Sequence, residues 1–532
     1  MQQQQHSVHD DGPEVLPVVI VGGGPTGLTA AALLADLGVP SLILERWADP
    51  YPQPRAVHLD DEVFRILAAV GIADEFGKHS RPARGLRLVD RSLRVLAEFG
   101  RLTDVGRHGH PGASMFDQPE LEQLLRGAVE CREAVTVRSD VEVDLVVNEG
   151  DAARVELTDR RTGGRQVLRA QYVLGCDGAN STVRRSTGIR WNDLGFTQRW
   201  LVVDVDTPAD LRQWDGVAQV CDGRRAATFM RVSDVRYRWE FRLLDGESAD
   251  TFPDLAALEP LLRPWLASTD LDDLTLVRSR EYTFRAHVAQ RWRDRRIFLL
   301  GDAAHLTPPF IGQGLGSGLR DSMNLAWKLA GVIGHTLPES ALDTYEQERK
   351  PHVTALITLA MAIGVTMTGG GRIGDVARRI VGPLLPHLPG ITQQAVEGAS
   401  PALPASALVH AGWSRGRLLP TPAVALDPRS LSGTLCPNAV VGEGDRRLDD
   451  VVSATFLLVT TTPPSRAQAD EIGRRGAIAM TVEEESPLGQ WLASGGATAA
   501  VVRPDRVVTV AGASVSAVYT YLPAGGAVAV AG

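Results

Sequence analysis

Cysteine is scarce in this chain of 532 residues: Cys131, Cys176, Cys221 and Cys436 are scattered, and no two stand in a C-x-x-C spacing. That scarcity excludes a disulfide framework, a cysteine-based structural zinc site and a dithiol redox centre, and it fits a reducing, cytoplasmic setting. Long apolar runs are missing as well. No stretch approaches the about 18 consecutive apolar residues that a membrane-spanning helix needs, so no membrane is expected as a partner. Surplus positive charge is also absent. The formal net charge is −9, which argues against nucleic acid or an anionic membrane surface. The start of the chain is polar and runs through four glutamines with no apolar segment, so residues 1–15 read as a disordered tail, not a signal peptide. His287, His305 and His352 are too scattered to suggest a ligand cluster, and no metal is expected.

What is present is ordinary globular material, 44% hydrophobic and 22% charged, in a chain long enough for two or three domains. The most informative stretch is PVVIVGGGPTGLTAAALLADLGVPSLILER, residues 17–46. Val18 to Val21 is a short β-branched run suited to a buried strand. Gly22, Gly24 and Gly27 follow in G-x-G-x-x-G spacing, with Pro25 and Thr26 inside the same turn. A run of good helix formers then leads to Gly38, and Ser41 to Leu44 is a second strand. Strand, turn, helix and strand together form the context that a dinucleotide fingerprint requires. Gly22 permits the tight turn, Gly24 lets the backbone approach a pyrophosphate at a helix N-terminus, and Gly27 lets helix and strand pack closely. Glu45 ends the second strand about 20 residues on, where an acid can accept both ribose hydroxyls. The bland alternative is a tight turn with no ligand.

Further along, residues 51–60 read as a loop because of Pro52 and Pro54, and Asp61 to Gly71 as a helix with its stop signal. Pro119 suits the first turn of another helix. Residues 134–174 read as a β-meander, and residues 199–290 carry alternating segments that suit an antiparallel sheet. A strand from Ile297 to Leu300 meets Gly301-Asp302, and a glycine-rich loop follows from Pro308 to Gly318. Helices are expected from Leu319 to Gly331 and from Leu342 to Ile363. Residues 367–410 read as a helical connector, and a small α/β unit follows from 411. Gly369-Gly370-Gly371 follows a helix, so it is no second fingerprint.

Three motifs at these separations, Gly22–Gly27, the D-G-x-x-S-x-x-R box at Asp177–Arg184 and the Gly301-Asp302 box, resemble those of the class A flavoprotein aromatic monooxygenases, the para-hydroxybenzoate hydroxylase superfamily. The stretches QPRAVHLDDEV and HLTPPFIGQGLGSGLRDSMNLAWKLAGVI look most like the 3-(3-hydroxyphenyl)propionate hydroxylase branch. The resemblance implies a mixed α/β chain. Its parts are a discontinuous Rossmann-like FAD-binding domain (16–190 and 291–400), an antiparallel-sheet substrate domain (191–290 with part of 85–115) and a thioredoxin-like C-terminal domain (411–532), with a homodimer as the expected assembly.

It further implies FAD as cofactor and NADPH or NADH as transient co-substrate. Glu45 and Arg46 would hold the adenosine ribose, Arg126 would lie near the adenosine end, Arg55 would approach the pyrophosphate, and Gln118 and Asp302 with Gly301 would meet the ribitol and ribose. Gly312, Gln313, Gly314, Leu315 and Gly316 would run under the flavin ring, beside a wall shaped by Pro308. Asp177 would serve FAD and the nicotinamide. His58 is a candidate for handling the phenol proton and Tyr237 for a role in the substrate pocket. Arg224, Arg225, Arg231, Arg236 and Arg238 are candidates for pairing with a substrate carboxylate. The implied reaction is ortho-hydroxylation of a phenolic acid to a catechol, with O2 activated as a flavin C4a-hydroperoxide. Two alternatives stand beside it: a tailoring hydroxylase of a polyketide or antibiotic, and a flavin-binding partner protein without turnover. Plain readings also remain, with Asp302 as a helix cap, Arg55 as a solvated arginine and Asp177 as a capping aspartate in a polar turn.

Overall fold

The computed structural model describes residues 15–50, 55–101, 105–369, 400–410, 430–442 and 444–524. The tail expected at 1–15 therefore lies outside the described residues except for Val15, as do 370–399 of the expected connector and Gly370-Gly371 of the glycine run. Among the described residues up to 369 the helices are α1 (Pro25–Asp36), α2 (Asp61–Val70), α3 (Ala73–His79), α4 (Gln118–Glu130), α5 (Thr182–Ser186), α6 (Leu255–Leu262), α7 (Gly314–Ile333) and α8 (Asp343–Thr368).

The first sheet grows from β1 (Val15–Val21), whose residues Val18 to Ile20 are wholly buried. Strands buried on both faces suit parallel pairing covered by helices. β1 runs parallel to β2 (Ser41–Leu44) on one side and to residues 165–175 on the other, and 135–138 and 297–299 extend the same sheet. Only 141–149, 152–159 and 165–175 make an antiparallel meander. The meander expected over 134–174 is thus corrected at its first strand, because 135–138 pairs with β2 across a helical crossover. A further short strand, β3 (His58–Asp60), lies inside the stretch expected to be loop and pairs with Ala113–Met115.

The second sheet has eight strands, and its two longest, 191–206 and 275–289, pair antiparallel along most of their length. Residues 85–100 join its edge beside 217–220. Along Arg236–Arg242 the side chains alternate as a strand must. Tyr237, Trp239 and Phe241 enter an apolar core with Phe229 and Trp265, while Arg236, Arg238 and Glu240 face the other way.

The C-terminal unit is a four-stranded mixed sheet. Leu457–Thr460 runs parallel to Ile478–Thr481 and antiparallel to Ala499–Val502, which pairs in turn with Val508–Gly512. Buried charge ties this unit to the rest: Arg65 of α2 meets Asp449 at 2.9 Å, and Arg503 meets Glu348 of α8 at 2.8 Å. Among the described residues no helix is long and apolar enough to cross a membrane.

Candidate cofactor and active site

The glycine turn between β1 and α1 is built as its spacing implied. Gly22 has φ +106°, and a Cβ there would lie 2.5 Å from the Cys176 carbonyl oxygen. A Cβ at Gly27 would lie 2.1 Å from the Gly22 carbonyl oxygen, so helix and strand pack at backbone distance. A Cβ at Gly24 would meet nothing within 4 Å. α1 starts there with Pro25 in its first turn, no side-chain cap and no acid in that turn. Its first N–H groups have no intrahelical acceptor, and the space beside Gly24 is open, which is the environment a phosphate needs. Thr26 Oγ1 is turned toward Gly301 and Gly318 instead, and would lie 2.8 and 2.4 Å from a Cβ at those positions. Thr26 therefore offers a phosphate its backbone.

Glu45 stands at the end of β2 with its carboxylate over the turn. It accepts from Gly23 N–H at 2.6 Å and from Trp47 N–H at 3.0 Å. Arg46 lies over the exposed Trp47 ring, 5.6 Å from its centroid. Arg126 of α4 donates to the Ala48 carbonyl at 3.3 Å, and its buried Nε has no partner.

Toward the middle, Gln118 at the start of α4 accepts from Ala56 N–H at 2.6 Å and donates to Glu122 at 2.7 Å, fixing the chain just after Arg55. Asp302 follows the strand 297–299 in a short helical turn with Gly301. Its side chain is solvent-exposed, yet enclosing protein desolvates the carboxyl and pushes it above the usual range, against the pull of His305 and Arg55. The residues present fit a dinucleotide: an uncapped helix N-terminus, a strand-end acid and an accessible acid that feels the Arg55 charge.

At the far end the glycine-rich segment differs from expectation. The loop stops at Gln313, and α7 begins at Gly314, five residues before Leu319. Gly314, Leu315 and Gly316 form the first turn, so their N–H groups point out of a helix N-terminus. Before it, buried Pro308 leads into the turn Pro309–Ile311, and Gly312 has φ +64°. Gln219 of the second sheet donates to the Phe310 carbonyl at 2.7 Å and anchors this turn from above.

Several expected roles are corrected by packing. Tyr237 lies in the second sheet's apolar core, with its hydroxyl on the Ala209 carbonyl at 3.4 Å, because strand alternation turns it away from the cleft. Asp177 accepts from Ser181 Oγ at 2.5 Å and from the Thr182 and Val183 N–H groups at 2.6 and 3.1 Å, so its carboxylate caps α5. In the same box Arg184 donates to the Ala303 carbonyl at 3.0 Å and so holds the Asp302 turn. His58 is not a base poised near neutrality: burial, followed by Arg101, lowers its pKa to about 4. Gln313 turns its side chain away from the loop, onto Asp60 and Arg320.

The candidate arginines are also engaged. Arg225 pairs with Glu247, and Arg236 with Asp206 and Asp117. Arg231 donates to the backbone at Asp234. Arg238 grips Asp204 at 2.7 Å and reaches the Arg55 carbonyl at 2.7 Å. Arg224 is exposed. Asp204, Arg278 and Asp60 were missed. Only a charge placed among apolar neighbours, as at Asp204 in the run Leu201 to Val205, hinted at them.

Residues 15–360 match the family model described as an FAD binding domain. A 3-(3-hydroxy-phenyl)propionate/3-hydroxycinnamic acid hydroxylase of Burkholderia cenocepacia is 32% identical over 511 residues, covering 92% of this chain and 93% of that protein. A probable NADH-specific resorcinol 4-hydroxylase of Rhodococcus jostii is 37% identical over 359 residues, covering 67% of this chain and 66% of the other. Among solved structures, the flavin-dependent monooxygenase PieE in complex with FAD and substrate superposes with a TM-score of 0.78 at 24% identity, covering 96% of this chain and 98% of that one. By motif, by geometry and by descent, the chain belongs to the FAD-dependent class A flavoprotein aromatic monooxygenases.

Proposed function

We propose that this enzyme hydroxylates a small monocyclic phenol carrying a short carboxylate chain, such as 3-(3-hydroxyphenyl)propionate, ortho to its hydroxyl to give a catechol, consuming NADH or NADPH and O2 on a single polypeptide. The observation that carries this reading is the 32% identity to a hydroxylase of that specificity over nearly the whole chain, the second sheet and C-terminal unit included. Bound FAD would supply the redox chemistry, taking a hydride from the nicotinamide and activating O2 to attack the phenol ring.

The protein's share is binding, orientation and exclusion of water. Glu45 and Asp302 would hold the riboses, and the α1 N-terminus and Arg55 the pyrophosphate. The N–H groups of Gly314, Leu315 and Gly316 would stabilise negative charge on the ring, as donors fixed before the reaction do. His58, kept neutral, would wall the ring end beside Pro308 without taking the phenol proton. Arg238 and Arg278 share Asp204, and burial pushes the neighbouring Glu240 carboxyl above its usual range. In this reading the buried arginine cluster on that face of the second sheet would be the part that holds a substrate carboxylate. In the same reading, 16–190 with 291–400, 191–290 with part of 85–115, and 411–532 are the FAD-binding, substrate and thioredoxin-like domains.

The test compares 3-(3-hydroxyphenyl)propionate, its methyl ester and a multi-ring phenol, measuring NADH and NADPH oxidation together with product. Coupled catechol formation from the free acid, weakened in the ester, is expected. Coupled hydroxylation of the multi-ring phenol alone would replace this reading with the tailoring hydroxylase.

A further inference from the structure

Asp60 ends β3 and caps α2, but capping occupies only one of its oxygens. Oδ1 accepts from Val63 N–H at 2.9 Å. Oδ2 accepts from Gln313 Nε2 at 2.8 Å and from Arg320 Nη2 at 2.7 Å. Arg320 Nη1 donates in turn to Gln313 Oε1 at 2.9 Å, which closes a ring of three side chains. Asp60 is 1% exposed and Arg320 3%. Burial pushes the Asp60 carboxyl up, but the Arg320 guanidinium and the donated hydrogen bonds outweigh it and hold the carboxyl well below the usual range. The acid is ionised throughout the physiological range.

The same strand grips the neighbouring residue. His58, two residues before Asp60 and on the same side of β3, fills the space beside Gly312. A Cβ at Gly312 would lie 2.6 Å from His58 Nδ1, and φ +64° makes that position strained for any other residue. One short strand thus holds both residues that precede α7. A segment of glycines has few side chains with which to anchor itself, and it loses more conformational freedom than any other on ordering. Its N–H groups stabilise charge only if something else holds them in place beforehand.

We infer that Asp60 is a positioning residue for the flavin: through Gln313 and Arg320 it sets the Gly312–Gly316 segment, and hence the N–H groups at the start of α7, against the ring. This rests on the reading of that segment as the bed of the flavin ring. The clamp reaches further, since α2 is also pinned by the Arg65–Asp449 pair. The C-terminal unit therefore braces the same helix.

The experiment titrates FAD into the cofactor-stripped full chain. Wild type is compared with Asp60→Ala, Asp60→Asn and Gln313→Ala. Flavin fluorescence gives the Kd, the visible spectrum reports the ring's surroundings, and spectroelectrochemistry gives the midpoint potential. Circular dichroism checks the fold. Asp60→Ala and Gln313→Ala should each raise the Kd at least ten-fold and shift the midpoint potential negative, because loosened donors stabilise the reduced ring less. Asp60→Asn, which keeps an acceptor, should recover part of both. Gln313→Ala leaves the α2 cap intact and decides the matter if Asp60→Ala does not fold. The inference is overturned if wild type binds FAD and Gln313→Ala matches it in Kd, spectrum and potential. If wild type takes up no FAD, the reading of the site as a flavin site fails first, and the clamp falls with it.

Discussion

Arg503 Nη1 lies 2.8 Å from Glu348 Oε1, and neither side chain exposes any surface to solvent. The other Glu348 oxygen accepts from Lys328 of α7 at 2.8 Å, and Asp505 takes the far side of the Arg503 guanidinium. Burial pushes the Glu348 carboxyl up, yet Arg503 and Lys328 outweigh it and hold the acid below its usual range, while burial brings Lys328 down to about 8. The turn between the last two C-terminal strands is therefore plugged into α7 and α8 by charge.

Breaking a buried pair on one side leaves an uncompensated charge, at a cost of about 3–5 kcal/mol. Arg503→Met should lower the urea midpoint strongly, and Glu348→Gln should do so as well. The double variant should lose less than the sum, since neither Arg503 nor Glu348 is left facing a lost partner, although Lys328 and Asp505 still lose theirs. Additive losses would show that the two groups are not coupled.

The glycine turn separates folding from binding. Gly24→Ala should leave the melting temperature of the cofactor-free protein within a degree or two and raise the FAD Kd, because its Cβ enters open space reserved for a phosphate. Gly22→Ala and Gly27→Ala should destabilise the cofactor-free protein itself, by strained φ and by collision with a carbonyl oxygen respectively. Equal melting temperatures for all three would contradict the geometry.

If Asp302 holds a ribose as proposed, Asp302→Ala should weaken FAD retention, and with little change in fold, since the residue is exposed. Its hydroxyl-accepting role is checked by dialysing the variant at low FAD and measuring bound flavin. Denatured wild type should release FAD and no FMN if Glu45 and the turn before α1 address the adenosine end as proposed. Full occupancy of Asp302→Ala after dialysis would remove it from the site.

Asp61 gives a pH signature. Burial, then the Asp60 charge and the Glu62 charge, raise its pKa to about 7, against the His108 N–H and Arg101, which lower it. An acid whose folded pKa lies above its unfolded value stabilises most below the unfolded pKa, and that stability drains away as pH rises through the folded one. Asp61→Asn mimics the protonated form. The variant should gain melting temperature over wild type at pH 8 and lose that advantage at pH 5. A difference that does not vary with pH would contradict the shifted titration.

Much of the fold was legible because it rests on local rules. The G-x-G-x-x-G spacing, the β-branched run before it and the strand ending at Glu45 each depend on a few neighbouring residues, and backbone sterics enforce them wherever they occur. The stop of α2 at Gly71, with φ +87°, was readable for the same reason. The start of α7 was not, because glycine propensity argued for loop and the helix is held there by contacts from outside it. Tertiary structure alone decided which polar groups remain available. Asp177, written in a motif, is consumed by α5, and Tyr237 faces the core because of strand parity. Asp60 and Arg320 meet across 260 residues of sequence, a distance over which no local pattern carries information. The sequence determined which chemistry the chain can carry. Folding decided which of its side chains are left free to do it, since a buried charge must find its partner wherever the topology brings one within reach.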